Sequence, residues 1–252
     1  MTRRQRLDAE LVRRGLVGSR VDATRMIESQ RVLVNGAVAD KASRQVHAGD
    51  AVVVQGEPPR FVSRGGEKLA AALSTFDIDV TGRRVLDAGA STGGFTDCLL
   101  QNGSAHVVAL DVGHGQLHPK VRSDPRVTVI ERTHIRDATP ELIGGVVDLV
   151  TADLSFISIV RVLDALISLA TPGADLVLLV KPQFEAGRAE VSKGRGVITD
   201  PEVHERVQIE VHAALESRGC VVRGWTVSPI AGGDGNREFL VHATTQRTGF
   251  SE

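Results

Sequence analysis

Apolar positions in the first sixty residues repeat first at helical spacing and then in short strand-like runs. Leu7, Leu11 and Leu16, and again Ala23, Met26 and Ile27, fall on one side of a helix, with Ser19 placed to cap the second. Val32-Leu33-Val34 and Ala37-Val38 flank Asn35-Gly36, a pair that tolerates the left-handed backbone of a tight turn, so a hairpin is predicted. Residues 51–54 read as a further strand, and Gln55-Gly56-Glu57-Pro58-Pro59 punctuates the end of the unit. Two helices and a small hairpin sheet bury little apolar surface, so this α+β module is expected to be attached to something larger.

From residue 66 the pattern alternates strand and helix. Strands are predicted at 84–88, 106–111, 126–130, 147–153 and 174–181, with helices at roughly 93–102, 116–122, 158–170 and 200–218. Ala174-Asp175-Leu176-Val177-Leu178-Leu179-Val180 is almost continuously apolar, as a parallel strand covered on both faces must be. The runs at 220–227 and 237–242 have no helix between them, which makes the last pair antiparallel. The expected fold class is therefore α/β, with a mostly parallel seven-stranded sheet and a small N-terminal α+β domain; a parallel sheet closed by an antiparallel strand resembles the Rossmann-like class I methyltransferase architecture. The expected boundaries are 1–59 for the small domain, 60–65 for a linker and 66–252 for the sheet domain.

Charge divides along the same boundary. Residues 1–64 carry twelve Arg and Lys against seven Asp and Glu, while the rest carry eighteen against twenty-four, so a net charge of −1 conceals a basic arm and an acidic body. A basic arm suits a polyanionic partner. Cys98 and Cys220 are too few for a disulfide framework or a zinc site, and Cys98, in an apolar helical run, reads as a buried thiol. His114 and His118 stand four apart, but Pro119 follows and no third ligand accompanies them, so no metal is expected. The basic N-terminus leads into no apolar signal segment and the best apolar stretch, 160–180, is interrupted by Asp164, Pro172-Gly173 and Asp175. A cytoplasmic protein without a membrane partner is expected, as a monomer or weak dimer.

The segment 85–95 carries the first chemical signal. Asp87 ends a strand, and Gly89, Gly93 and Gly94 follow before a helix that begins near Phe95. Glycines there let backbone N–H groups approach a ligand closely. A pyrophosphate-binding loop would read Gly-x-Gly-x-x-Gly; here the order is Asp-x-Gly-x-x-x-Gly-Gly, with a carboxylate on the strand. That carboxylate suits a ligand without phosphates and with a cationic amino-acid tail, namely S-adenosylmethionine. Asp111, 24 residues on, ends the next strand and is placed to accept ribose hydroxyls. Ala90, Ser91 and Phe95 in the loop and Val112 beside Asp111 complete the candidate cofactor set.

Ligands of open α/β sheets bind beyond the carboxyl ends of the parallel strands. Asp153 and Lys181 end the fourth and fifth strands, Glu238 begins the antiparallel one on the same rim, and Lys68 lies on a short helix ahead of the first strand. A lysine closing an apolar strand is costly unless paired or useful. A sugar hydroxyl is a weak acid, so methyl transfer to it calls for a base in line with the methyl donor. Lys181 is the expected base, Lys68 the neighbouring cation that eases its proton loss, and Asp153 and Glu238 the carboxylates that orient the two and balance charge. Amino-directed methyltransferases place Asn/Asp-Pro-Pro-aromatic after the fourth strand; Asp153-Leu154-Ser155-Phe156 stands there instead and argues against a base nitrogen as acceptor.

Lys68, Asp153, Lys181 and Glu238, in this order around the glycine loop, resemble the Lys-Asp-Lys-Glu tetrad of ribose 2′-O-methyltransferases of the FtsJ type, although Thr92-Gly93-Gly94 replaces the Pro-Gly-Gly common among single-domain members. Residues 63–69, 89–97, 110–117 and 180–185 together resemble the TlyA family, called haemolysins. Arg6-Leu7-Asp8, Gly15-Leu16, Ser19-Arg20 and Val34-Asn35-Gly36 are similar to an RNA-binding domain shared with a small-subunit ribosomal protein and some pseudouridine synthases. The resemblance implies 2′-O-methylation of cytidine in small- and large-subunit ribosomal RNA within ribosomal subunits, and an influence on sensitivity to antibiotics of the capreomycin type. It also implies that Arg60-Phe61-Val62-Ser63 couples RNA docking to cofactor binding.

RNA contacts are expected from Arg4, Arg6, Arg14 and Arg20 on the small domain, Arg64 at the junction, Arg132 and Arg136 on the rim, and Lys193 in a basic loop, 183–197, that could fold over the substrate. Two other classes compete. A non-catalytic RNA-binding assembly factor would tolerate loss of Lys181 or Asp111, yet both are present. A pore-forming haemolysin would need an export signal or amphipathic membrane segments, which the sequence does not display.

Overall fold

The computed structural model, described for residues 4–18, 20–56, 59–194, 196–232 and 235–246, comprises two compact units, Met1–Arg60 and Phe61–Glu252. In the first, β1 (Gln5–Arg6) leads into α1 (Leu7–Arg13) and α2 (Arg20–Glu28), followed by β2 (Val32–Val34), β3 (Ala37–Val38), β4 (Gln45–Val46) and β5 (Val52–Val54). The hairpin turns at Asn35-Gly36, and β5 pairs with the free edge of β2 to give the order β3-β2-β5. The periodic residues Leu7, Leu11, Ala23, Met26 and Ile27 are buried with Val32, Val34 and Val46, so one apolar face per element suffices for this core. Leu16 departs from the expectation: α1 ends at Arg13 and Leu16 is exposed beyond it. Ser19, read as the cap of α2, lies outside the described residues.

The second unit opens with α3 (Gly65–Thr75) and builds one sheet from β6 (Arg84–Ala88), β7 (His106–Leu110), β8 (Val127–Ile130), β9 (Val147–Ala152), β10 (Ala170–Val180), β11 (Val221–Val227) and β12 (Phe239–Thr244). Between them lie α4 (Gly94–Gln101), α5 (Pro119–Arg122), α6 (Pro140–Ile143), α7 (Leu163–Ser168), α8 (Pro182–Glu185), α9 (Arg188–Lys193) and α10 (Pro201–Glu216). The strand order is β11-β12-β10-β9-β6-β7-β8, parallel except for β12, which runs antiparallel to both its neighbours. Alternate residues serve opposite faces. Leu86, Val108, Val150 and Leu178 pack with Leu163 and Leu166 of α7 and Val207, Val211 and Leu215 of α10. Val85, Val107, Leu149 and Val177 pack with Leu69 and Leu73 of α3 and Cys98 and Leu99 of α4. Covering both faces is what makes the strands read as unbroken apolar runs.

Three local expectations are corrected. The helix expected at 158–170 is shorter: a 3₁₀ turn at Ile159–Val162 precedes α7, and β10 begins at Ala170 with an irregularity before Asp175. The helix expected from 116 is confined to α5, because His118 caps it by accepting from the Lys120 N–H and Pro119 supplies its first residue. The segment 183–197, read as a loop, carries α8 and α9.

Candidate active site

Register brings the predicted residues to one rim. Ala88 pairs with Leu110 on one side and Ala152 on the other, so Asp111 and Asp153 both emerge just beyond the same row of the sheet. Val180 pairs with Phe239 across an antiparallel ladder, which places Lys181 and Glu238 at the next position outward on adjacent strands. The strand order reverses at β6 and β9, where successive connections leave to opposite sides and a crevice must open. There a cleft of about 260 Å³ is lined by Ser63, Arg64 and Lys68 on one wall, residues 89–92 with Gly94 and Phe95 on a second, and Asp153, Ser155 and Lys181 on the third.

The glycine loop is shaped for this position. Gly89 has φ +85°, and a β-carbon there would meet the Asp153 carbonyl oxygen at 2.5 Å, so only glycine lets the loop lie against the end of β9. Gly94 opens α4 so near Ser63 and Gly65 that any side chain would displace the start of α3. Asp111 accepts from the Ser91 N–H at 2.8 Å and the Gly113 N–H at 2.6 Å, which ties the loop to the end of β7. A carboxylate has about four lone-pair sites, so Asp111 keeps acceptor capacity for a ligand. Beside it a narrow slot is walled by Ala109, Leu117 and Val129, with Gln116 and Glu131 at its polar edge.

Asp87 sits elsewhere than expected. It is wholly enclosed behind the loop and lines neither space; Oδ2 accepts from the Thr96 hydroxyl at 2.6 Å, while Oδ1 has no protein partner. Burial, opposed by the Thr96 hydrogen bond and reinforced by the charges of Asp153 and Asp111, pushes its carboxyl up to about 7. Val112 is 63% exposed and lines neither space.

The reactive group forms two ion pairs rather than one cluster. Lys68 Nζ lies 2.5 Å from Glu238 Oε2, with both side chains nearly sealed from solvent. Lys181 Nζ lies 2.5 Å from Asp153 Oδ1 and donates to Ser155 Oγ at 3.1 Å. Each lysine thus has its own carboxylate, where the sequence led us to expect both carboxylates to serve the pair jointly. Glu238 stands behind Lys68 outside the cleft lining, and Gly232 packs against it so closely that a β-carbon would lie 2.6 Å from Oε1. Phe156, next to Ser155, is 91% exposed with φ +64°, and its ring meets that of Phe184 at 5.4 Å. Glu131 has no sequence signal; Ser155 and Phe156 enter the sequence reading only as part of the segment after the fourth strand and Ser63 as part of the linker, and their places at the cleft come from the fold.

The expected RNA contacts separate into free and engaged cations. Arg64 is exposed at the mouth of the cleft. Arg132 follows β8 with φ +56°, and Arg136 stands on the 3₁₀ turn Ile135–Asp137. Arg4 is exposed and touches His47. Arg6 and Arg20 are half to mostly exposed but both pair with buried Asp8. Arg14 is corrected: its guanidinium is turned inward, bonding Glu10 and the carbonyls of His47, Ala48 and Asp50, so its donors are used for folding. The Lys193 side chain lies outside the described residues. Among the described residues no helix is long and apolar enough to cross a membrane, and no three His, Cys, Asp or Glu side chains are grouped to hold a metal ion.

Comparison with known proteins agrees with this geometry. Residues 61–245 match the FtsJ-like methyltransferase family and residues 5–52 the S4 domain. The chain is 51% identical over 247 residues to the 16S/23S rRNA (cytidine-2′-O)-methyltransferase TlyA of Mycobacterium tuberculosis, covering 98% of this chain and 92% of that protein. It is 31% identical to the 23S rRNA (cytidine-2′-O)-methyltransferase TlyA of Campylobacter jejuni, over 89% of this chain and 93% of that one. A solved structure from Streptococcus thermophilus that carries a hemolysin designation superposes with a TM-score of 0.77 at 40% identity, covering 98% of this chain and 90% of its own. With an FtsJ-like methyltransferase domain behind an S4 domain and half of its residues identical to a TlyA protein over nearly the full chain, the chain belongs to the TlyA family of FtsJ-like rRNA methyltransferases.

Proposed function

We propose that this protein transfers a methyl group from S-adenosylmethionine to the ribose 2′-hydroxyl of cytidine in ribosomal RNA of both subunits, in the cytoplasm. The observation that carries the reading is the meeting of Lys68, Asp153 and Lys181 in one cleft with the glycine loop, Glu238 holding Lys68 from behind. The residues fit the cofactor. Asp111 retains acceptor sites for ribose hydroxyls beside the apolar side chains of Ala109, Leu117 and Val129, which a purine would meet, and the glycine loop lines the adjoining cleft.

S-adenosylmethionine supplies, when bound, a methyl group activated by a positively charged sulfur. The chain's residues do the rest. Lys181 in its amine form takes the 2′-hydroxyl proton as that oxygen attacks, and Asp153 steadies the ammonium that results. Lys68, held by Glu238 across from it, lends positive charge beside the developing alkoxide. The exposed ring of Phe156 offers a stacking surface to an unpaired base, and Arg4, Arg6 and Arg20 of the S4 domain with Arg64, Arg132 and Arg136 grip phosphates. The relative at 51% identity is named for both 16S and 23S rRNA and the one at 31% for 23S alone, which favours the two-subunit reading. An effect on sensitivity to capreomycin-type antibiotics, which the sequence resemblance implies, is part of the proposal. The test is transfer of labelled methyl to isolated small subunits, large subunits and naked RNA, followed by mapping of the modified nucleotide. Label on a ribose 2′-oxygen of cytidine is expected; label on a base, or none on any RNA, would end the assignment.

A further inference from the structure

An amine acting as a base must aim one lone pair at one proton. Neutral Lys181 has two N–H groups and one lone pair about Nζ, and two protein acceptors already stand there: Asp153 Oδ1 at 2.5 Å and Ser155 Oγ at 3.1 Å. With one N–H given to Ser155 and the Asp153 carboxylate drawing the other by charge, the cleft that Lys181 lines is the space left for the lone pair. The Phe184 ring, 5.8 Å from Nζ, walls a further side.

We infer that Ser155 is a positioning residue for the methyl transfer: its hydroxyl accepts from Lys181 Nζ and, together with Asp153, stops the amine from spinning, so that the lone pair stays on the acceptor hydroxyl. This rests on the functional reading above. With the Asp153 ion pair alone, Nζ can turn about its bond to Cε and the lone pair sweeps a cone. A second fixed acceptor removes that freedom before substrate arrives.

The structure secures the serine as well as the lysine. Lys181 passes directly into α8, whose Glu185 accepts from the Ser158 hydroxyl at 2.6 Å and the Ile159 N–H at 2.7 Å. The loop after β9 is thereby clamped to the helix that begins at the catalytic lysine. Within the loop the left-handed backbone of Phe156 turns its own ring outward while its neighbour Ser155 stays at the cleft wall. In the step itself the methyl carbon leaves sulfur and bonds to O2′, the sulfur becomes a neutral thioether, and the hydroxyl proton passes to Nζ. That proton leaves to water before the next turnover, and Asp153 and Ser155 keep the other two N–H groups throughout.

The experiment compares wild type, Ser155→Ala, Ser155→Thr and Lys181→Ala in methyl transfer to ribosomal subunits, with cofactor affinity measured separately by calorimetry. Ser155→Ala is expected to lower kcat about 10- to 100-fold, with KM for RNA and cofactor affinity within about twofold of wild type. Ser155→Thr, which keeps the hydroxyl, should recover most of the loss. The role is overturned if Ser155→Ala keeps kcat within twofold, if its loss lies in KM or cofactor affinity, or if threonine does no better than alanine. An inactive wild type or an active Lys181→Ala would instead sink the functional reading on which the role rests.

Discussion

In the S4 domain Asp8 and Glu10 are 4% and 2% exposed, and two guanidinium groups hold each: Arg6 and Arg20 on Asp8, Arg13 and Arg14 on Glu10. In the methyltransferase sheet Asp87 is fully enclosed, with Thr96 supplying its hydrogen bonds, no cation paired to it and two further carboxylates near enough to repel it. All three are covered, but Asp8 and Glu10 lie shallow beneath their arginines while Asp87 lies deep, and the chemistry is opposite. The arginine hydrogen bonds, first Arg6 for Asp8 and Arg13 for Glu10, outweigh desolvation and hold both carboxyls well below the ordinary range, Glu10 at about 2. For Asp87 desolvation wins. The first region has settled its charges for folding, while the second keeps a carboxyl oxygen without a partner sealed behind the cofactor loop.

The largest effect expected to sharpen this contrast is on activity. Lys181→Ala should reduce methyl transfer by about a thousandfold or more, with cofactor affinity by calorimetry nearly intact, since the lysine acts on the acceptor. Retention of a tenth of the activity would show that the unsettled region is structural after all. Next in size, Glu10→Gln should lower the stability of the S4 domain by about 1–2 kcal/mol in urea unfolding at neutral pH, as two charge-assisted hydrogen bonds weaken. The pH direction follows from the lowered carboxyl: its contribution is complete above the ordinary value of 4.5 and fades as pH falls towards 2, so wild type and variant should converge in acid.

Asp87 reverses that sign. A raised carboxyl means that the folded state binds more protons than the unfolded one between 3.8 and about 7, so its contribution to stability falls as pH rises through that window. Asp87→Asn should flatten this slope and raise stability above pH 7 by about 1 kcal/mol. An unchanged slope in thermal unfolding from pH 5 to 8 would show that Asp87 finds a partner in solution. The smallest effect concerns the arginines. Arg4→Ala should weaken RNA binding a few-fold and shift its salt slope by about one without changing stability, whereas Arg14→Ala should unfold the domain more easily. Equal RNA-binding losses at equal stability would erase the distinction between free and engaged cations.

Much of this arrangement was legible in the chain. Helices and strands that bury one face or both announce themselves by period, and so the strands at 84–88 and 220–227 fell where expected. Acids and lysines at strand ends could be assigned to one rim because parallel strands share a direction, which is how Asp153, Lys181 and Glu238 were found together. Arg14 failed for a complementary reason: a guanidinium on a short helix looks solvated until the carbonyls of His47, Ala48 and Asp50, more than thirty residues away, fold around it. Ser155 and Phe156 read in the sequence as a segment without individual roles, because one left-handed residue decides which of two neighbours faces the cleft.

What the sequence determined by itself is whatever depends on spacing along the chain: the element types, the antiparallel last strand, the glycine loop and the rim that gathers the tetrad. Only the tertiary structure decided the pairing, namely that Lys68 belongs to Glu238 and Lys181 to Asp153, and that Asp87 stands behind the loop instead of in the cleft. Pairing depends on distances of a few ångströms between side chains 28 to 170 residues apart, and such distances are set by packing, which periodicity does not encode.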